Sequence, residues 1–433
     1  MQHMHRRTAV ACRGGLSGIS YGCGVSTLVL SLFITLTAPS ASAASAPRYA
    51  DLLNQSLASA PVLLEQAANV RAAGAEARQA RAWLNPSLNA VYENIGGPQS
   101  DGGSQRQDTY SITQPVEIGG KRGARIEAGD QSFAAAQARS HQAQITFSAQ
   151  LAVAYATAEA MQVRKGLAAE EFVRAKDDLR IAQALVKTGR EAELRVVQAQ
   201  SSVAAAQAAV QAAIADTTEA LEHLSTLGGI KEAYTAIEHP FLAKATTYRL
   251  DAHENPVEAP AVVSAMAERQ ALAAQVGVEE KRWIPDIGLS AGMRKFGWTN
   301  DNALVVGISA AIPVFDRNRN GIAAARERVM AADARLEAAR LEAAAARRAA
   351  TAQLEAAEQR VEAALQGEST AAEAYRLGRI GYDAGKTSLL EVLTIRRALT
   401  DARLLTIDAR LARVRALALL SIVDGRIAFG DLK

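Results

Sequence analysis

Two copies of one strand-turn-helix pattern constrain this chain more than any other feature. The first is Thr109-Tyr-Ser-Ile-Thr-Gln-Pro-Val-Glu-Ile-Gly-Gly-Lys-Arg-Gly123. The second is Leu304-Val-Val-Gly-Ile-Ser-Ala-Ala-Ile-Pro-Val-Phe-Asp-Arg-Asn-Arg-Asn-Gly321. Each alternates like a strand, reaches Pro-Val, passes a basic turn and ends on Gly before a long Ala-rich helical stretch. Pro115 and Pro313 lie 198 residues apart, as do Gly123 and Gly321. A unit that leads from strand directly into long helix, twice, implies duplication and passage from one solvent to another.

The segments around these copies repeat as well. Residues 50–82 show helical spacing of Leu52, Leu53, Leu57, Val62, Leu63 and Val70, with Pro61 marking a break or restart. Trp83-Leu-Asn-Pro86 ends that helix, and 261–282 ends likewise at Trp283-Ile-Pro285. Alternation predicts strands over about 86–95, 108–117, 285–297 and 303–314. Helices follow from Ala124 and Ile322, with breaks expected at Lys187-Thr-Gly-Arg190 and Gly381-Tyr-Asp-Ala-Gly385. The domain plan is an export signal over 1–43, repeats over 44–229 and 261–433, and a connector of little regular structure over 230–260.

Composition agrees with long helices: the 433 residues carry only 5% aromatics. Arg6, Arg7 and Arg13 precede an apolar run from Val25 to Ala38 and an Ala41-Ser-Ala43 cleavage pattern, which read as an export signal. Both cysteines, Cys12 and Cys23, lie in that segment, so the mature chain has no thiol chemistry and no lipid-attachment cysteine. The charge of +3 belongs to the same segment. The remainder is neutral and gives no reason to invoke nucleic acid.

Catalytic and metal patterns are missing. His141, His223, His239 and His253 show neither H-x-x-H nor H-E-x-x-H spacing, and Gly119-Gly-Lys-Arg lacks the leading glycine of a phosphate loop. Neither enzyme activity nor a cofactor is expected.

Each alternating segment has the length of a tilted membrane strand, with one apolar face and one small or polar face. Trp83, Trp283 and Phe315 stand at the helix side, and Tyr92, Tyr110, Phe296 and Trp298 at the loop side, as the two aromatic girdles of an outer-membrane barrel do. Pro115, Pro313, Lys121 and Arg122 mark the inner boundary, where Lys121, Arg122, Arg317 and Arg319 are expected to face lipid headgroups. Four strands cannot close in lipid, because an open edge leaves backbone groups unsatisfied. Three copies would give twelve strands, an allowed even number.

At this point the chain resembles the TolC family of outer-membrane efflux ducts over essentially its whole mature length. Asn85-Pro-Ser-Leu, Tyr92-Glu-Asn-Ile-Gly96 and Gln114-Pro-Val-Glu-Ile-Gly-Gly-Lys-Arg122 are similar to the branch that serves cobalt-zinc-cadmium pumps. The resemblance implies an α/β membrane protein: a homotrimeric twelve-stranded outer-membrane β-barrel, four strands per chain, continuing into a long periplasmic α-helical barrel. It implies a duct passing heavy-metal cations or, alternatively, drugs and other small molecules. Its partners would be a periplasmic adaptor, an inner-membrane resistance-nodulation-division pump and outer-membrane lipid. It also implies an acid-ringed periplasmic tip, where Glu391 takes the first ring position and Thr394 stands where a second acid would fall. The repeats place Arg195 in register with Glu391, so Glu391, Arg195 and Tyr382 are the expected gate. A periplasmic adaptor carries a single helical hairpin, and a filamentous coiled coil does not account for four alternating segments.

Overall fold

The computed structural model describes residues 45–97, 99, 102–248 and 258–430. The expected export signal, both cysteines and His253 lie outside them. The first half runs α1 (Tyr49–Ser59), α2 (Pro61–Gln79), β1 (Ser87–Glu93), β2 (Gln107–Val116), α3 (Lys121–Lys187) and α4 (Leu194–Leu227). A short α5 (Leu242–Thr247) lies in the connector. The second half runs α6 (Pro260–Lys281), β3 (Ile287–Phe296), β4 (Asn302–Ala310), α7 (Arg319–Asp383) and α8 (Leu389–Val423).

Proline opens the helix that precedes each strand pair. Pro61 and Pro260 occupy the first turns of α2 and α6, where the missing N–H costs nothing and the fixed φ suits a helix. Pro61 therefore restarts a helix rather than kinking one. β4 is shorter than its alternation predicts. It stops at Ala310, so Ile312 and Pro313 belong to the connection, and Pro313 has no N–H for a ladder.

The passage from strand to helix differs from the expected one. Gly123 lies inside α3; the chain is turned by Gly119 and Gly120, whose φ angles are 65° and 74°. A Cβ on Gly119 would come within 2.5 Å of Ile284 Cδ1. In the second copy Asn318 takes the left-handed position, with φ 52°. Its side chain donates to Glu279 Oε2 at 2.6 Å, and that bond is the first cause holding the Glu279 carboxyl below its ordinary value. Gly321 leaves room for that side chain, since a Cβ there would meet Asn318 Oδ1 at 2.1 Å.

The four strands form one antiparallel sheet in the order β1-β2-β3-β4, so the two halves join at β2–β3 and both outer edges are open. Register stacks Leu88, Ile112, Ala291 and Val306 in one row, and Ala90, Tyr110, Met293 and Leu304 in the next. Nothing among the described residues covers this face: Leu304, Val306 and Ile308 are 76%, 73% and 76% exposed. Among the described residues no helix is long and apolar enough to cross a membrane.

The helices α3 and α7, of 67 and 65 residues, extend about 100 Å from the sheet at 1.5 Å per residue. They pair with α4 and α8 respectively, and α3 also packs on α2, α6 and α8. Buried alanines such as Ala152, Ala156, Ala158 and Ala160 permit this close approach.

The main core lies part-way along these helices, where the connector folds back onto them. Tyr49, Tyr155, Phe241 and Phe429 form an edge-to-face cluster. Tyr49 Oη donates to Ala428 O at 2.8 Å, and Tyr155 Oη to Pro47 O at 2.9 Å. Glu159 accepts the N–H groups of Phe241 and Leu242 at 2.8 Å each. Gln162 accepts from Ile237 N at 2.8 Å and donates to Ile237 O at 2.9 Å. From α8, Arg413 donates to Ala245 O, to Tyr248 O at 2.9 Å and to Glu358 at 2.9 Å. A parallel bridge between Ala46 and Ile237 closes the layer.

Burial pushes the Glu159 carboxyl above its ordinary value of 4.5, and the two backbone N–H groups and the Arg410 charge only partly offset this. A raised carboxyl stabilises the fold at pH below its unfolded value and loses that contribution as pH rises through the folded value. Thermal unfolding should therefore show the wild type losing stability as pH rises from below 4.5. Glu159→Gln keeps the acceptor for both N–H groups and should remove that component; an unchanged pH profile would refute the assignment.

Candidate functional site

Residues singled out by sequence fall at two places, the strand–helix junction and the far ends of the long helices. At the junction Trp83 and Trp283 are exposed, as is Phe315. Pro115 lies within β2, opposite Gly288. The Arg122 guanidinium lies 5.0 Å from the Trp83 ring, and Arg122 donates to Arg81 O at 2.7 Å. Lys121 Nζ pairs with Asp286 at 2.7 Å, tying the first half to the second. Protein thus engages both cations, while Arg317 and Arg319 of the second junction are exposed.

At the far end the two turns are built alike. Gly189 and Gly385, at φ 71° and 72°, close α3 and α7 in the left-handed conformation. In each case the next residue donates back into the last helical turn: Arg190 N to Leu185 O at 2.9 Å, and Lys386 N to Gly381 O at 2.8 Å. The α7 helix runs through Gly381 to Asp383, so its break covers 384–388 rather than beginning at Gly381. Ser388 then caps α8, its Oγ accepting from Glu391 N at 3.3 Å.

The expected gate residues share this end without joining in one protomer. Arg195 pairs with Glu191 at 4.0 Å, one turn away on the same side of the turn. Glu391 is exposed and has no ion-pair partner among the described residues, and Tyr382 is 40% exposed. Arg195 and Thr394 line a common groove of about 580 Å³ between α3, α4 and α8. Thr394 Oγ1 is spent on Leu390 O at 2.9 Å.

Sequence reading missed the strongest charge contact of this end. Arg396 of α8 is buried and pairs with Asp178 at 2.6 Å and Glu171 at 3.4 Å, both on α3. Burial opposes its charge, but the hydrogen bond and charge of Asp178, then Glu171, hold the guanidinium above its ordinary value. Its partners stand more than 200 residues away, so spacing could not reveal them. The available signal was an arginine on the groove side of a helix that must pack.

With this geometry in view, comparison with known proteins is decisive. The family model described as outer membrane efflux protein matches residues 52–229 and 254–426. The chain belongs to the outer membrane efflux protein family. Relatives include the nickel-cobalt-cadmium resistance protein NccC of Alcaligenes xylosoxydans xylosoxydans, 57% identical over 90% of this chain and 89% of that protein. The nickel and cobalt resistance protein CnrC of Cupriavidus metallidurans is 60% identical over 90% and 93%. In fold, the crystal structure of CusC superposes with a TM-score of 0.73 at 17% identity, covering 87% of this chain and 92% of that one. The outer membrane protein VceC of Vibrio cholerae gives 0.68 at 19%, covering 87% and 96%.

As a member of this outer-membrane efflux family, the protein places its sheet in the outer membrane and its long helices in the periplasm. The far end of the long helices is then the periplasmic end. Removing Arg396 would leave Asp178 and Glu171 of α3 without their cation against α8. Arg396→Ala should cost about 1–3 kcal/mol, discounted for the partial exposure of both acids. It should also speed limited proteolysis in the turn at 384–388, with Arg396→Lys intermediate; cleavage at the wild-type rate would remove Arg396 from the support of the tip.

Proposed function

We propose that the protein is the outer-membrane duct of a tripartite system that exports heavy-metal cations, nickel and cobalt foremost. The observation that carries this reading is identity of 57% and 60%, nearly end to end, with resistance proteins named for nickel, cobalt and cadmium. On this reading the duct is passive. A proton-driven pump in the inner membrane supplies energy, and a periplasmic adaptor joins pump to tip.

The assembly is a homotrimer. The open edges of β1 and β4 must be paired in lipid, and three sheets of four strands close a barrel of twelve. Its repeats, 44–229 and 261–433, each contribute a hairpin to the wall and a helical pair to the tunnel, with 230–260 as a belt between them.

At the tip, Glu391 is the gate acid and Arg195 and Tyr382 its partners from a neighbouring protomer, with Thr394 in the second ring position. The exposure of Glu391 and its lack of an ion-pair partner among the described residues support an intersubunit role. In planar bilayers Glu391→Ala should raise resting conductance and weaken block by divalent cations; unchanged current and block would remove Glu391 from the gate. Deleting the protein from its host should raise sensitivity to nickel and cobalt, and sensitivity to drugs alone would overturn the metal assignment.

A further inference from the structure

The face of the sheet opposite the exposed apolar face is built of small, uncharged side chains, among them Asn89, Ser111, Thr113, Ser290, Gly307 and Ser309. Two charged residues interrupt it within the strands, Glu93 and Arg294, both near the loop end. Register puts Val91, Thr109, Arg294 and Ala303 in one row, and Glu93 stands two residues beyond Val91 on β1. Arg294 Nε donates to Thr109 Oγ1 at 3.0 Å, and Arg294 Nη2 lies 3.7 Å from Glu93 Oε2. β2 lies between the two strands that carry this pair, a separation of about 10 Å. The Arg294 side chain must therefore lie flat across β2 instead of standing out from the wall.

We propose that Glu93 and Arg294 set the charge of the duct's outer mouth and so decide which ions leave it. The proposal rests on the duct reading above, in which this face lines the lumen. Held down by Glu93 and Thr109, Arg294 presents no free positive charge to a divalent cation in transit, and the pair is neutral. Without Glu93 each protomer would release a guanidinium into the mouth, an anion-attracting ring. Without Arg294 each would present a bare carboxylate, a cation-attracting ring. Low-dielectric walls strengthen such fields over a pore, and salt weakens them.

The test is reversal potential in planar bilayers containing the full-length purified protein, in a potassium chloride gradient at low ionic strength and then with nickel chloride. Glu93→Gln should shift the cation-to-anion permeability ratio toward anions by about twofold or more, and Arg294→Gln toward cations by a similar factor. The double variant should return close to wild type, because the two charges cancel only as a pair. Arg294→Lys keeps the charge and should keep wild-type selectivity. If it behaves as Arg294→Gln, the effect is one of wall shape and the proposal fails. It also fails if both single variants leave the reversal potential of a conducting channel unchanged. A wild-type protein that forms no channel would instead overturn the duct reading.

Discussion

Backbone N–H and C=O groups along the free sides of β1 and β4 have no strand partner among the described residues. In hydrocarbon each unsatisfied group costs several kcal/mol, far more than any surface ion pair returns. That requirement shapes the rest of the molecule. On the proposed reading it calls for partner strands from other chains, and it turns one face of the sheet to lipid and the other to the lumen. The chain must then leave the membrane in the same direction after β2 and after β4. The left-handed residues Gly120 and Asn318 make that exit, each at the first turn of a helix more than 60 residues long.

The contacts that hold the two halves together differ in strength according to where they lie. Lys121–Asp286 at the junction is part-exposed, so it fixes register more than it stabilises. Arg396 with Asp178 and Glu171 is drier, and breaking it strands two acids rather than one. The connector has the densest polar network, since irregular backbone carried into a core must find a partner for every amide.

Much of this was legible from residue order. Period-two alternation and the proline and glycine punctuation located strands, long helices and their duplication, because those signals are local. Errors of a few residues arose where one side chain decides a boundary: Asn318 filling the place that glycine holds in the first copy, or Pro313 ending β4 early. The aromatic cluster of Tyr49, Tyr155, Phe241 and Phe429 was not legible, because its members come from segments with no shared period. Arg396 and its acids were hidden for the same reason, being joined only by the packing of α8 on α3. Repeat alignment brought Glu391, Arg195 and Tyr382 to one end of the molecule, where the structure also has them, but register within a repeat cannot say which side chains meet across protomers.

The connector is held in an unusual way: Glu159 and Gln162 bind its main chain, and Arg413 binds two more of its carbonyls. Its path is therefore specified by side chains of α3 and α8 together with its own buried residues. Its buried side chains Tyr234, Ile237, Phe241, Leu242 and Ala245 are fixed by the core, whereas exposed ones such as Lys231, Glu232 and Lys244 can change so long as the amides at 237, 241 and 242 remain. A connector held in this manner can diversify its exposed surface, and with it whatever it meets, without disturbing the long helices it lies on.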